Sequence, residues 1–146
     1  MPEPDKAAWM HIAGLGCRRG CPLESLLALL HAALDEAGLR PGDLAGLASS
    51  VHKRDEPGLL RLADHLRLPL AFLSAERLSA YHDRLTRKSP LALSITGSSG
   101  VAEASAMAQA EILGAGPARL LLPKRTNTVA SLALATAPLH TLLDHP

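Results

Sequence analysis

With 146 residues, 47 % of them hydrophobic and 20 % charged, the chain fits one globular domain that buries a core without disulfide or metal staples, and it is too short for a two-domain enzyme. Its 15 Lys+Arg against 14 Asp+Glu give no general field for a nucleic acid or an acidic membrane, so a basic site must be local. One tryptophan, one tyrosine and one phenylalanine (Trp9, Tyr81 and Phe72) are too few for a base-stacking platform.

In chain order, residues 1–6 read as a flexible tail before a strand at 8–13 (AWMHIA). A glycine-rich turn is expected at 14–20 (GLGCRRG), followed by a helix in which Leu23, Leu26, Leu27, Leu30, Leu34 and Ala37 recur at helical spacing, with Pro22 at its start and Gly38 at its end. The apolar run 44–51 predicts a helical turn passing into a buried strand that ends at His52-Lys53-Arg54. Glu56-Pro57 opens a second helix, which Pro69 breaks ahead of a strand at 70–73. A weaker helix (75–85), a strand (91–95), a small-residue turn (96–100, TGSSG) and an alanine-rich helix (101–113) come next. Strands at 119–122 and 128–135, joined by five residues, predict a hairpin, and residues 138–146 form the C-terminal end. The fold expected is a single α/β domain, three-layer α/β/α, with a mostly parallel, mixed sheet closed by the C-terminal hairpin.

In such a sheet ligands bind where the parallel strands end, and the loops expected there are the ones rich in glycine, hydroxyl and charge. Arg18 and Arg19 stand just before a helix N-terminus, whose macrodipole is already positive; two cations there are locally unfavourable unless an anion is to be held. The alternative is that both arginines pair in solvent with Glu24 or Asp55. Lys53 and Glu56 read either as site residues or as a solvated pair at a helix start, and Lys124 as a site cation or a hairpin lysine blunting a sheet edge. Glu103 either folds back on the amide of Gly100 as a cap or faces the crevice with Lys53 and Arg18. Cys17, Cys21 and His52 lack a fourth metal ligand, so neither a metal nor a resident cofactor is expected. A dinucleotide fingerprint fails by one position, Arg19 standing where the third glycine belongs, and His52-Lys53-Arg54 would suit only a 2′-phosphate; an NADP-binding module is the remote alternative. The two cysteines, the absence of a leader pattern and the lack of an apolar run near the roughly 18 residues of a membrane span lead to the expectation of a soluble, reduced, cytoplasmic protein.

Taken in order, GLGCRRG, the K-x-x-E of Lys53 to Glu56, GVAEASA at 100–106, Lys124 and the TVA of 128–130 resemble the CobE/CbiG carboxy-terminal domain family of cobalamin biosynthesis, over about residues 10–137. The length is similar to the stand-alone CobE form. The resemblance implies a role around corrin ring contraction, where longer relatives open the ring-A lactone of a cobalt-precorrin and release acetaldehyde. Position by position it implies substrate binding by Gly14, Gly16, Cys17, Arg18, Arg19, Lys53, Gly100 and Lys124, with Glu103 or His52 as the group that would guide water. Ser50-Val51-His52 and Ser105 depart from the family pattern, His52 standing where an aspartate is usual. The partners implied are a precorrin or corrinoid tetrapyrrole and other enzymes of the pathway, with neither nucleic acid nor membrane. A binder that shields or hands over a labile precorrin and a lactone hydrolase both remain open.

Overall fold

Alternation along the first strand sorts its side chains onto two faces of a sheet. The structure, a computed structural model, describes residues 9–81 and 100–139. Its β1 runs Trp9–Cys17, so it takes in the glycines expected to form a turn. Ala13 and Leu15 point to one face, where they join a leucine core; Met10 and Ile12 point to the other, against alanines. Gly14 continues the second set, and its missing side chain is the reason the strand extends: a Cβ there would run into the carbonyl oxygen of Ala102 and lie 2.6 Å from the amide nitrogen of Ala106. The glycine serves close helix approach rather than a turn.

The helix above it, spanning Val101–Leu113, is the last of four among the described residues; α1 is Leu23–Ala37, α2 Pro57–Leu66, α3 Ala75–Ser79, and this one α4. Val101 through Ala108 are all buried, which suits a helix whose small side chains meet Ala48, Ala135 and Ala137 of the sheet. Helices α1 and α2 cover the opposite face, where Leu26, Leu30 and Leu34 of α1 and Leu59 and Leu62 of α2 pack on Leu47, Leu132 and Leu134. Short 3₁₀ turns at Pro41–Asp43 and Val51–Lys53 flank β2, Leu44–Ser50. The remaining strands are β3 (Leu70–Leu73), β4 (Arg119–Thr126) and β5 (Ala130–Pro138).

Among the described residues the sheet has the order β3-β2-β1-β5-β4. β1 pairs in parallel with β2, and β2 with β3, while β5 runs antiparallel to both β1 and β4. Four strands therefore share one direction and β5 opposes them. The three-layer α/β expectation with a mixed, mostly parallel sheet holds, but the C-terminal hairpin does not close the sheet. Its second arm inserts beside β1 and its first lies, among the described residues, at one edge of the sheet, opposite β3. Composition decides which arm goes inside. Leu132 and Leu134 on one face of β5, with Ala133, Ala135 and Ala137 on the other, are fully buried, as a central position demands. β4 carries Arg119, Pro123, Lys124 and Arg125, which an edge tolerates. The expected strand at 91–95, the small-residue turn at 96–99 and the end of the 75–85 helix lie outside the described residues.

Buried hydroxyls satisfy carbonyls in the central strands. Ser49 Oγ donates to the Leu15 carbonyl (2.7 Å), Thr136 Oγ1 to Met10 (3.0 Å), and Ser105 Oγ reaches Ala48 across the α4 interface (3.4 Å). Substituting Gly14→Ala should destabilise the domain by roughly 3 kcal/mol or more in urea unfolding, since backbone and not a flexible side chain blocks the new methyl. Gly42→Ala, with open space around it, should change stability by less than about 0.5 kcal/mol.

Candidate functional site

Three chain segments meet where β1 and β2 end. α4 runs back along β1, so that its first residue, Val101, lies over Gly16 while Gly114, beyond its last turn, lies at Ala137. The N-terminal turns of α1, α2 and α4 are thereby directed to the same edge of the sheet, where the positive ends of their dipoles converge.

The segment after β1 turns sharply. Arg18 N–H donates to the Val129 carbonyl (2.8 Å), fastening the loop to the β4–β5 connection, and Cys21 N–H donates to the Arg18 carbonyl (3.1 Å), closing a turn. Gly20 sits at φ +78°, a conformation in which glycine is unstrained. The side chains of Arg18 and Arg19 are exposed and, among the described residues, neither is paired with a carboxylate, so the solvated-pair alternative with Glu24 or Asp55 is not what the structure shows.

Across from this loop, Ser50 Oγ accepts from His52 N–H (3.2 Å) and starts the 3₁₀ turn that carries His52, exposed, and Lys53, half-buried. Glu56 follows as the N-cap of α2. It is only 7 % exposed, and its Oε2 accepts from Gly20 N–H at 3.0 Å. Of the two readings of Lys53 and Glu56, the solvated pair is not the one that forms: Glu56 turns inward and joins the two loops. Just beyond it, a Cβ on Gly58 would collide with the Cys21 carbonyl oxygen, so the start of α2 abuts the end of the arginine loop.

Glu103, 2 % exposed, lies in the first turn of α4, and its Oε2 accepts from Lys124 N–H at 2.8 Å. Irregular pairing between Leu122 and Arg125 of β4 turns that amide away from β5 and toward the helix. Glu103 and Lys124 are therefore brought together, with the carboxylate at the positive end of the helix dipole. Gly100 caps α4. Gly16 lies under Val101 and beside Ser131 Oγ, whereas Gly14 is buried beneath α4 one turn further in. As strand residues packed on a helix, these two glycines do not form a phosphate turn.

Cys17 closes β1 with its thiol against that of Cys21. Burial above all, and then Cys21 and Glu56, push the Cys17 thiol up to about 11, against the opposing pull of Lys53. Burial and Glu56 raise Cys21 as well. Both stay protonated at neutral pH, which is the wrong state for a nucleophile. Among the described residues no group of three or more His, Cys, Asp or Glu is arranged to hold a metal.

The motif order and the fold can now be set beside known proteins. The family described as Cobalamin synthesis G C-terminus matches residues 11–135. The chain belongs to the CobE/CbiG C-terminal family. It is 40 % identical over 134 residues to Protein CobE of Sinorhizobium sp, covering 91 % of this chain and 84 % of that protein. The crystal structure of CobE, a protein from the cobalamin biosynthetic pathway, superposes with a TM-score of 0.83 at 49 % identity, covering 93 % of this chain and 98 % of that one. Cobalamin biosynthesis protein chiG of Agrobacterium tumefaciens gives a TM-score of 0.66 at 32 % identity, covering 86 % and 97 %. A shorter likeness, 39 % over 70 residues, is to the cobalt-precorrin-5A hydrolase of Salmonella typhimurium; it spans 48 % of this chain and 20 % of that enzyme. As a CobE/CbiG-family member closely related to stand-alone CobE, the chain is a protein of cobalamin biosynthesis. Among the described residues no helix is long and apolar enough to cross a membrane.

The raised Cys17 thiol has a pH signature. Above the ordinary value of 9.0 the unfolded thiol ionises while the folded one does not, so the stability Cys17 contributes is fully present below pH 9 and is lost as pH rises toward about 11. Urea unfolding from pH 8 to 11 should show wild type losing stability more steeply than Cys17→Ser. Parallel curves would mean that the thiol is not held protonated by the fold.

Proposed function

We propose that this edge of the sheet binds a polycarboxylate tetrapyrrole, a precorrin or corrinoid near ring contraction, and shields it or hands it to another enzyme of the pathway. The observation that carries the reading is the pair of exposed guanidinium groups of Arg18 and Arg19, without an ion pair among the described residues, on a loop hydrogen-bonded to the segment that follows Lys53. A macrocycle with acetate and propionate arms requires several cations at fixed separations, and guanidinium forks bind carboxylates in two places at once. Helix N-terminal amides add positive potential at the same edge. Lys124 on β4 extends the basic set, and Gly16, Cys17 and Gly100 put small residues beside it.

The CobE and hydrolase relatives support this class of ligand. The likeness to the Salmonella hydrolase also favours a second reading, hydrolysis of the ring-A lactone with release of acetaldehyde. In it Glu103 or His52 would guide water, and Lys53 or backbone amides would stabilise the oxyanion. The protonated thiols and a Glu103 already engaged by Lys124 N–H give the binder the better support.

Gel filtration with late precorrins and corrinoids, reading the visible spectrum and acetaldehyde in each fraction, separates the two. Comigration of an unchanged pigment is the outcome expected of a binder. Spectral conversion with acetaldehyde establishes the hydrolase, which Glu103→Gln should then slow; no comigration overturns both. For the binder, each of Arg18→Ala, Arg19→Ala and Lys53→Ala should weaken tetrapyrrole affinity about tenfold, the weight of a charge-assisted hydrogen bond of roughly 1.5 kcal/mol, without lowering the melting temperature. Unchanged affinity in all three would displace the site from this edge.

A further inference from the structure

We infer that Glu56 is a positioning residue that locks the Arg18–Arg19 loop to the Lys53 turn, so that cations from two loops meet one polycarboxylate as a preformed set; the inference rests on the anion-binding reading above. A carboxylate in an anion site is at first sight misplaced, because its charge opposes every carboxylate of the ligand. Two bonds account for its presence. Glu56 N–H donates to the Lys53 carbonyl at 3.0 Å, closing the turn that carries Lys53, and Glu56 Oε2 accepts from Gly20 N–H at 3.0 Å, beside the two arginines. One residue thus holds both cation-bearing segments, one through its backbone and the other through its side chain. The Glu56 side chain is buried although Gly20 is exposed, so the bond is partly shielded from water.

The contact of Gly58 with the Cys21 carbonyl shows independently that these segments are seated against each other rather than merely near. Without Glu56 the arginine loop would retain the Arg18–Val129 tie on one side and lose its anchor on the other. Binding would then have to order the loop as well as engage the ligand, which lowers affinity with no cation removed.

Uroporphyrin I, an octacarboxylate tetrapyrrole, serves as the probe in fluorescence titrations of wild type, Glu56→Ala, Glu56→Gln, Arg18→Ala/Arg19→Ala and the triple variant. Glu56→Ala should bind about tenfold more weakly than wild type. Glu56→Gln keeps a carbonyl acceptor for Gly20 N–H and loses the repelling charge, so it should bind at least as tightly as wild type. In the background lacking both arginines, Glu56→Ala should cost less than twofold, because there is no longer a guanidinium pair to position. Tighter binding by Glu56→Ala would show that the carboxylate only repels. Equal losses with and without the arginines, or a Glu56→Gln variant as weak as Glu56→Ala, would overturn the positioning role. If Glu56→Ala does not fold, Glu56→Asp, one methylene shorter, takes its place with the same expectations. Failure of wild type to bind the probe would count against the anion-binding reading itself. Hydrogen exchange at Gly20 N–H then decides separately whether Glu56 holds the loop: protection in wild type and Glu56→Gln but not in Glu56→Ala supports the lock, and equal exchange in all three removes it.

Discussion

The fold depends on how closely α4 approaches β1. A strand of ordinary residues keeps a helix at the distance its side chains set; with Gly14 and Gly16 below and alanines around, the α4 backbone drops until only a hydrogen atom fits between them. That approach accounts for the unequal layers, one face being leucine against leucine under α1 and α2 and the other alanine against alanine under α4. It also fixes the direction of α4, whose first turn comes to lie at the ends of the parallel strands with Glu103 in reach of Lys124 N–H.

The edge with the basic loops inherits its rigidity from the same arrangement. Because β5 occupies the place beside β1, the β4–β5 connection stands next to the arginine loop and can accept Arg18 N–H through the Val129 carbonyl. Had the hairpin lain at the sheet edge with its polar arm inside, that tie would be missing. The other side of the loop is held by Glu56. Between these two anchors the backbone is fixed while both guanidinium groups face solvent. Fixed backbone with free charged ends is what a site for several separated carboxylates requires.

Periodicity was enough to read most elements, because α1, α2 and α4 carry long apolar patterns ended by Gly38, Pro69 and Gly114, and these stop signals act locally. The glycines at 14 and 16 were misread for a physical reason. A glycine that allows a turn and one that makes room for a helix are identical in a single sequence, and the partner that distinguishes them lies about 90 residues away, in Ala102 and Ala106. Sheet order escaped for a related reason. Hairpin pairing follows from a short link, but which arm sits inside depends on both faces of β5 being apolar, as Leu132, Leu134, Ala133 and Ala135 make them. Arg18 and Arg19 stand out as candidates in the sequence because two cations before a helix start violate its dipole preference. Glu56 left two readings open, since a carboxylate beside Pro57 at such a start satisfies every local rule, and only its burial and its bond to Gly20 N–H decide between them.

The two signs of charge at this edge have different roles. Glu56 and Glu103 each spend an oxygen on a backbone amide of a neighbouring segment, Gly20 in one case and Lys124 in the other. Each is buried and directed inward, toward a neighbouring segment rather than toward solvent. The cations do the opposite: Arg18 and Arg19 are exposed and their side chains make no ion pair among the described residues. Negative charge thus holds the scaffold together while positive charge faces the solvent, and the near-neutral chain acquires a basic edge without an excess of basic residues. On the proposed reading, in which a polyanion is taken up and released, this division helps, since screened surface contacts form and break quickly while the buried ones keep the geometry constant between ligands.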